Sequence, residues 1–243
     1  MDFLCPFLGE EPTFEKEIAV MIRVSKSMDE MREQLRAYHD NDIAQSLKYL
    51  NRAERNLLYS GLDAKWLAEI MSYVDDPAPY IEEIGIDKLA EIINEMEADD
   101  AVDLWEDIDE SVKVKLRPML DDEKTMDILL INSYDEDEIG SLITTNYIRI
   151  KQNLSIRQAM HELVQQAGEN DNITTLYVVD DRGRFCGAID LKDLIVAREN
   201  VALDSLISYA YPYLLDHEKI SDSIEKIKDY AEDSLPVLNK DKK

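Results

Sequence analysis

Two aspartates, Asp99 and Asp103, stand four residues apart in the acidic string ADDAVDL. Residues at this spacing share one face of an α-helix, where two like charges destabilise the helix by roughly 0.3 kcal/mol. Carboxylate oxygens are the ligands that hard divalent cations prefer. A bound cation would turn this unfavourable pair into a favourable one, although the same spacing is also typical of a solvated acidic face.

Residues that could carry out catalysis are not arranged for it. The three histidines, His39, His161 and His217, are scattered through polar or amphipathic stretches, where a histidine is more often a surface residue than a base. Cys5 and Cys186 form neither a CxxC pair nor a zinc-binding spacing, which favours two reduced thiols. The sequence also lacks phosphate-loop, nucleophile-elbow and HExxH motifs. We therefore do not expect an enzyme.

The balance of charge narrows the classes of partner. The 243 residues include 53 acidic and 27 basic side chains, a net charge of −26, and 45% of them are hydrophobic. That hydrophobic share is ordinary for a globular chain, so two modest domains could each bury a core. The negative surface repels nucleic acid and attracts cations, although a plain solubility surface has the same composition. No run of about 18 apolar residues occurs, so no segment is predicted to cross a membrane.

Short helices are predicted for the first half of the chain, because its apolar positions recur at helical spacing. Asp63 and Asp87 precede two of these helices and are predicted to cap them. Three similar strings follow one another: IAQSL at 43–47, LAEIM at 67–71 and LAEII at 89–93. Since a second helical segment follows each string, the pattern predicts paired short helices that stack into a superhelix.

The pattern changes near residue 140. An alternating segment at 147–150 predicts a strand, and Ser155 is predicted to cap an amphipathic helix that buries Leu163 and Val164. The strings TTLYVVDD and CGAID, joined by the turn DDRGRF, predict a hairpin, and LKDLIVARE predicts a further helix. The remaining chain predicts a partial second copy with the order strand, helix, strand.

The succession of these elements resembles a known family. The hairpin YVVDDRGRF followed by GAIDLKDLIVA resembles a cystathionine-β-synthase-type (CBS) domain. The stretch EDEIGSLITTNYIRIKQNLSIRQAMHELVQQ resembles the segment that opens that domain in MgtE-type magnesium transporters, and the helical repeat resembles the N-terminal domain of the same family. The resemblance implies an α+β multidomain fold: an all-α superhelix of short helices, then an α/β CBS region whose second copy is incomplete.

The domain boundaries that follow are an N-terminal extension at 1–29, the helical domain at 30–135, the first CBS domain at 136–200 and a partial second CBS domain at 201–243. In the family a transmembrane pore domain follows the CBS region, and the transporter is a homodimer. The resemblance therefore implies the cytoplasmic, magnesium-sensing region of a magnesium transporter or channel. Its expected partners are Mg²⁺, its own pore domain and a second copy of the chain bound through the CBS domains.

The resemblance also implies a set of magnesium ligands. The family binds magnesium where the N-terminal domain faces the CBS domains, and the matching positions here are Glu69, Asp99, Asp103 and Asp193. At low magnesium the acidic surfaces would repel one another. At high magnesium, bridging ions would hold the domains together and favour the closed state of the pore.

Two other ligands come into consideration. Many CBS pairs bind adenine nucleotides, and the usual pattern has Ser or Thr three residues before a ribose-binding Asp. Asp193 fits the second position, but Asp190 occupies the first, where a carboxylate would repel phosphate. An adenine-nucleotide-binding regulatory module is therefore the alternative, and Asp193 could instead cap its helix. Calcium is disfavoured, because DEDEIGSLITTN has Ile139 and Asn146 where an EF-hand needs ligands; its acids are predicted to lie in a linker.

Overall fold

The computed structural model describes most of the chain. The described residues are 14–168, 170, 172–230 and 232–243. Cys5, one of the two predicted thiols, lies outside them, and Cys186 is a free cysteine. Within the described residues, no helix combines the length and the apolar character needed to cross a bilayer.

Helices make up the first half of the chain, as predicted. They are Phe14–Val24 (α1), Met28–Leu35 (α2), Asp40–Ser46 (α3), Arg52–Gly61 (α4), Ala64–Ser72 (α5), Ala78–Ile81 (α6), Ile86–Glu95 (α7), Ala98–Glu106 (α8), Glu110–Leu116 (α9) and Asp122–Ile131 (α10). Helix α1 falls within the predicted N-terminal extension at 1–29. The described residues form two compact units: one contains those from Phe14 to Met96 together with Asp103–Lys124, and the other contains those of Glu97–Val102 and Thr125–Lys243. The predicted domain boundaries stay predictions.

The first unit is a stack of helices. Alternate helices contact one another in the order α1, α3, α5, α7, α9. The three similar strings of the sequence lie on α3, α5 and α7, so each repeat supplies one layer of the stack. Its fully buried side chains include Ile18, Ile22, Met31, Leu35, Ile43, Leu47, Leu58, Leu67, Ile70, Leu89, Ile92 and Ile93. The predicted array of short paired helices is confirmed.

Only one of the two predicted aspartate caps is present. The Asp63 side chain accepts a hydrogen bond from Trp66 N at 2.9 Å and caps α5, as predicted. The prediction for Asp87 is wrong, because α7 already begins at Ile86 and its cap is Gly85. Asp87 lies in the first turn instead, where its charge favours the positive end of the helix dipole.

The second unit contains two small sheets. Its elements are Ile148–Lys151 (β1), Ile156–Gln166 (α11), Thr175–Val179 (β2), Phe185–Asp190 (β3), Leu191–Val196 (α12), Leu214–Leu215 (β4), Ile220–Asp229 (α13) and Val237–Leu238 (β5). Strand β2 lies between β1, to which it is parallel, and β3, to which it is antiparallel. Strands β4 and β5 form a parallel pair. This matches the predicted order, including the partial second copy.

One face of the β1–β2–β3 sheet packs against α11 and α12. Ser155 caps α11 through a capping box with Gln158, as the sequence predicts. Leu163 joins the core, whereas Val164 is 66% exposed, so the prediction that Val164 points inward is wrong. The helix buries only a narrow stripe, because consecutive residues point about 100° apart. The core consists of Ile148, Ile150, Ile156, Ala159, Leu163, Leu176, Val178, Ile189, Leu194, Leu203 and Ile207.

The acidic segment between α10 and β1 is bound to the rest of its unit, which corrects the prediction of a linker. Lys219 Nζ donates to Asp137 Oδ1 at 2.6 Å, and Ile139 N donates to the carbonyl of Glu218 at 2.8 Å. The hydrogen bond from Lys219 lowers the pKa of Asp137. Two of the segment's residues thus pair with the turn that leads into α13.

Candidate functional site

Helix α8 positions two of the predicted magnesium ligands. One side of the helix is apolar and buried, so its acidic residues lie toward the opposite side. The buried residues are Ala98, Ala101, Val102, Leu104 and Trp105. Asp99 is half-buried and Asp103 is exposed. The two carboxylates therefore belong to successive turns of one helix, as their spacing predicts.

Asp99 has an unusual feature that suits a cation. Its Oδ1 is buried and has no hydrogen-bond partner among the described residues. Leaving such an acceptor unsatisfied costs about 1–3 kcal/mol, and more for a charged group. A divalent cation, or a water molecule of its hydration shell, would satisfy this oxygen. The chemistry of Asp99 therefore fits a magnesium ligand.

Asp193 lies in the first turn of α12 and is exposed. The residue that caps this helix is Asp190, whose side chain accepts a hydrogen bond from Lys192 N at 2.7 Å. The alternative role of Asp193 as the cap is therefore wrong. Its position leaves the carboxylate accessible to solvent and to a hydrated cation.

Glu69 is exposed on α5 and borders a shallow depression of about 420 Å³. The other residues around this depression are Arg36, Asp63, Lys65 and Trp66. Two cations beside Glu69 compete with a metal for its carboxylate. Of the four predicted ligands, Glu69 therefore has the least favourable surroundings for magnesium.

The four predicted ligands do not form a ready-made cage. Glu69 and Asp103 belong to the first unit, whereas Asp99 and Asp193 belong to the second. In the part of the chain that the structure describes, no three His, Cys, Asp or Glu side chains gather closely enough to hold a metal ion. Magnesium keeps several of its own waters and needs only one or two carboxylates at a time, so sparse ligands remain compatible with this ion.

The second unit also contains a cavity of about 540 Å³, within the usual range for small-molecule sites. Tyr147, Tyr177 and Phe185 line one side of it, and the Tyr177 ring contacts the other two edge-on at centroid distances of 5.8 and 6.2 Å. Burial raises the pKa of Tyr177. The Tyr177 hydroxyl lies 2.7 Å from Ser234 Oγ, which fixes the ring.

Charged side chains at this cavity differ in sign from the chain as a whole. Among the described residues that line it, Arg149, Arg182 and Lys243 carry positive charge, and Asp216 carries the one side-chain carboxylate. A local excess of positive charge on a chain of net charge −26 favours an anionic ligand.

The sequence pattern did not indicate this cavity, because it associated a nucleotide with Asp193 and placed Asp190 where a carboxylate opposes phosphate. Neither residue lines the cavity. A signal was nevertheless present in the sequence: TLYVV carries a β-branched or bulky side chain at every position, and all five residues of β2 are buried. A strand of this kind is covered on both faces of its sheet. Tyr177 and Val179 therefore face a second layer, on the face of the sheet opposite to α11.

The domain models that match this chain agree with this architecture. Residues 38–137 match the MgtE intracellular N domain, and residues 139–200 match the CBS domain.

Curated relatives match over nearly the whole chain. The magnesium transporter MgtE of Enterococcus faecalis is 28% identical over 240 residues, which cover 96% of this chain and 53% of that protein. MgtE of Thermus thermophilus is 24% identical over 216 residues, which cover 87% of this chain and 48% of that protein. The chain thus spans about half the length of these relatives.

Two solved structures share the fold. The crystal structure of the soluble part of a magnesium transporter superimposes with a TM-score of 0.87 at 28% identity, covering 94% of this chain and 92% of the other. The cytosolic domain of the Mg²⁺ channel MgtE, solved in complex with ATP, gives a TM-score of 0.83 at 24% identity, with 93% and 94% coverage.

A stack of short helices followed by a CBS region defines the chain as a regulatory region built from an intracellular N domain and CBS elements. Neither matched domain is an enzyme family. The chain thus contains an MgtE intracellular N domain followed by a CBS domain, and it is similar over nearly its whole length to the soluble part of MgtE-type magnesium transporters.

Proposed function

We propose that this chain senses cytosolic magnesium and, at high concentration, favours the closed state of an attached magnesium pore. The observation that carries the proposal is the buried Oδ1 of Asp99 on the acidic helix α8, which has no hydrogen-bond partner among the residues that the structure describes. Asp103 on the next turn and the exposed carboxylates of Asp193 and Glu69 supply the remaining proposed ligands. The expected ion is Mg²⁺, as the names of the relatives suggest.

Electrostatics provide the switch. Two carboxylates about 4 Å apart repel one another by about 1 kcal/mol in water, and by more where solvent is thin. A hydrated dication between them reverses the sign of this interaction. Magnesium therefore favours whichever arrangement of the acidic surfaces brings carboxylates together, and it needs only to bind that arrangement more tightly than the alternative. Several weak sites steepen the response to concentration.

Small-angle scattering tests this switch on the chain itself. We expect the radius of gyration to be smaller in millimolar magnesium than in EDTA, because bridging ions remove the repulsion that keeps acidic surfaces apart. Light scattering on the same samples checks that the association state is constant. A potassium chloride sample of equal ionic strength controls for screening. Equal radii with and without magnesium would contradict the switch.

Adenine-nucleotide binding is the second candidate function, and the 540 Å³ cavity favours it. A planar base can stack on the aromatic side chains, an interaction worth about 1–3 kcal/mol per base. The phosphates then meet Arg149, Arg182 or Lys243, which line the same cavity. The complex of a structural neighbour with ATP supports this choice of ligand.

Replacement of Arg149 tests the second candidate. We expect Arg149→Ala to weaken ATP binding about tenfold, because it removes a cation that pairs with phosphate. Calorimetric titration of ATP in excess magnesium measures the change. The backbone of Arg149 bonds to Gln166, and truncation leaves these bonds in place. Arg157→Ala, an exposed arginine on α11, is the matched control. Equal affinities in both variants would count against the cavity as the nucleotide site.

A second copy of this chain is the proposed partner of the CBS region. Val164 on α11 and both Ile195 and Val196 on α12 are 66%, 61% and 68% exposed, and the two helices contact one another. Two copies that each carry a charge of −26 repel, so contact between them requires apolar surface of this kind. None of these three residues lines the proposed nucleotide cavity.

A further inference from the structure

Glu97 connects two parts of the second unit that are far apart in sequence. It directly precedes α8, the helix that carries Asp99. Its Oε1 accepts a hydrogen bond from Asn146 Nδ2 at 2.6 Å, and its Oε2 accepts a longer one from Thr144 Oγ1 at 3.4 Å. The start of α8 is thereby tied to the loop that precedes β1.

This loop is also a wall of the cavity. Thr144 and Thr145 line it, together with the neighbouring Tyr147. Thr145 Oγ1 donates to Asp127 Oδ2 at 3.1 Å. The loop is therefore fixed from one side by carboxylates and faces the cavity with its other side, so a ligand that enters the cavity acts on residues already bonded to Glu97.

We infer that Glu97 is a positioning residue, which transmits occupancy of the cavity to the first turn of α8 and hence to Asp99. The inference rests on the proposed function, which assigns a nucleotide to the cavity and magnesium to the carboxylate of Asp99. The link itself is a property of this chain. When a ligand orders the loop 144–146, the bond between Asn146 and Glu97 restricts the start of α8 as well.

Coupling between the cavity and Asp99 must act in both directions, because binding free energies are reciprocal. If a ligand in the cavity changes the affinity of Asp99 for a cation, the cation must change the affinity of the cavity by the same factor. The two Glu97 hydrogen bonds join the start of α8 to the loop, so they contribute to this factor. Removing either partner of the Asn146–Glu97 bond should therefore uncouple them in both directions.

Amide hydrogen exchange, measured by mass spectrometry on the whole chain, tests the link. Without ligand, Glu97→Ala should speed exchange about tenfold in both 98–102 and 143–147, the factor expected from one charge-assisted hydrogen bond. Asn146→Ala should also speed exchange in 98–102, because it removes the hydrogen bond that Asn146 Nδ2 donates to Glu97. Glu106→Ala, at the other end of α8, should change neither segment. Unchanged exchange in β2 shows that the variants remain folded.

A second arm adds ATP in EDTA, so that no magnesium is present. ATP should slow exchange in both segments of the wild type, but only in 143–147 of Glu97→Ala. If ATP slows 143–147 and never 98–102 in the wild type, the link is overturned while the nucleotide site stands. If ATP has no effect on exchange, the nucleotide candidate fails, and the measurements without ligand still decide the role of Glu97. That role is overturned if Glu97→Ala changes exchange only in 98–102 and Asn146→Ala does not change exchange in 98–102.

Discussion

Glu83→Ala is expected to lower the free energy of unfolding by about 3 kcal/mol, because it leaves Arg55 partly buried without its counter-charge. The Arg55 guanidinium forms two parallel bonds to this carboxylate, Nε to Oε2 and Nη2 to Oε1, each 2.7 Å long. The two side chains are only 16% and 12% exposed. Urea unfolding followed by circular dichroism measures the loss.

Arg55 also joins several elements of the first unit, which explains the size of the expected effect. Its Nη1 donates to the carbonyls of Leu47 and Leu50, and its guanidinium lies 5.3 Å from the ring centroid of Tyr80. Loss of Glu83 removes the group that orients all of these contacts. Glu82→Ala, an exposed neighbour, is the matched control and should change stability by less than about 0.5 kcal/mol. An equal loss in both variants would show that the ion pair is not responsible.

The same ion pair gives the stability a pH dependence. The hydrogen bonds from Arg55 lower the pKa of Glu83 in the folded chain below that of an unfolded glutamate, which is about 4.3. A depressed pKa contributes stability that is present above the unfolded value and is lost as the pH falls through the folded value. In the Glu83→Ala variant this part of the acid destabilisation should be absent.

Asp99→Asn is expected to weaken magnesium binding about tenfold, because it removes a carboxylate whose buried oxygen has no hydrogen-bond partner in the part of the chain that the structure describes. At a magnesium concentration ten times the wild-type dissociation constant, binding stabilises the folded chain by about 1.4 kcal/mol. For a chain of this size that raises the melting temperature by about 3–6 °C. In the variant the same concentration should raise it by only about 1 °C. Thermal unfolding with magnesium or EDTA measures both shifts.

Asp107→Asn is the charge-matched control for this prediction. It removes one negative charge from an exposed position just beyond the end of α8. If magnesium acted only by screening the net charge, the magnesium-dependent rise in melting temperature would decrease by the same small amount in both variants. A selective loss in Asp99→Asn identifies a site, whereas equal shifts in the two variants would contradict one.

The fold was largely predictable because local signals agree with it. The helical spacing of apolar residues and the three similar strings predicted the stack of α3, α5 and α7, and the β-branched strings predicted β2. The errors have local causes. Asp87 lies in the first turn of a helix that Gly85 caps, and Val164 faces away from a core that accepts only a narrow stripe of α11.

The sites were less predictable, because they depend on contacts distant in sequence. The cavity is formed by residues that range from α10 to Lys243, and no local sequence pattern predicts it. The unpartnered oxygen of Asp99 depends on burial that the string ADDAVDL does not reveal. The bond between Glu97 and Asn146 spans 49 residues of sequence. The four predicted magnesium ligands came from a family resemblance, and they stay predictions.

Calorimetric titration of the EDTA-treated wild-type chain with magnesium chloride, beside Asp99→Asn combined with Asp193→Asn, tests magnesium sensing most directly. The wild type should give saturable heats with a midpoint at roughly millimolar magnesium, as expected for few ligands and a largely hydrated ion. The double variant should lose most of this signal. Heats of dilution alone from the wild type, or superimposable isotherms from the two chains, would contradict the role of these carboxylates.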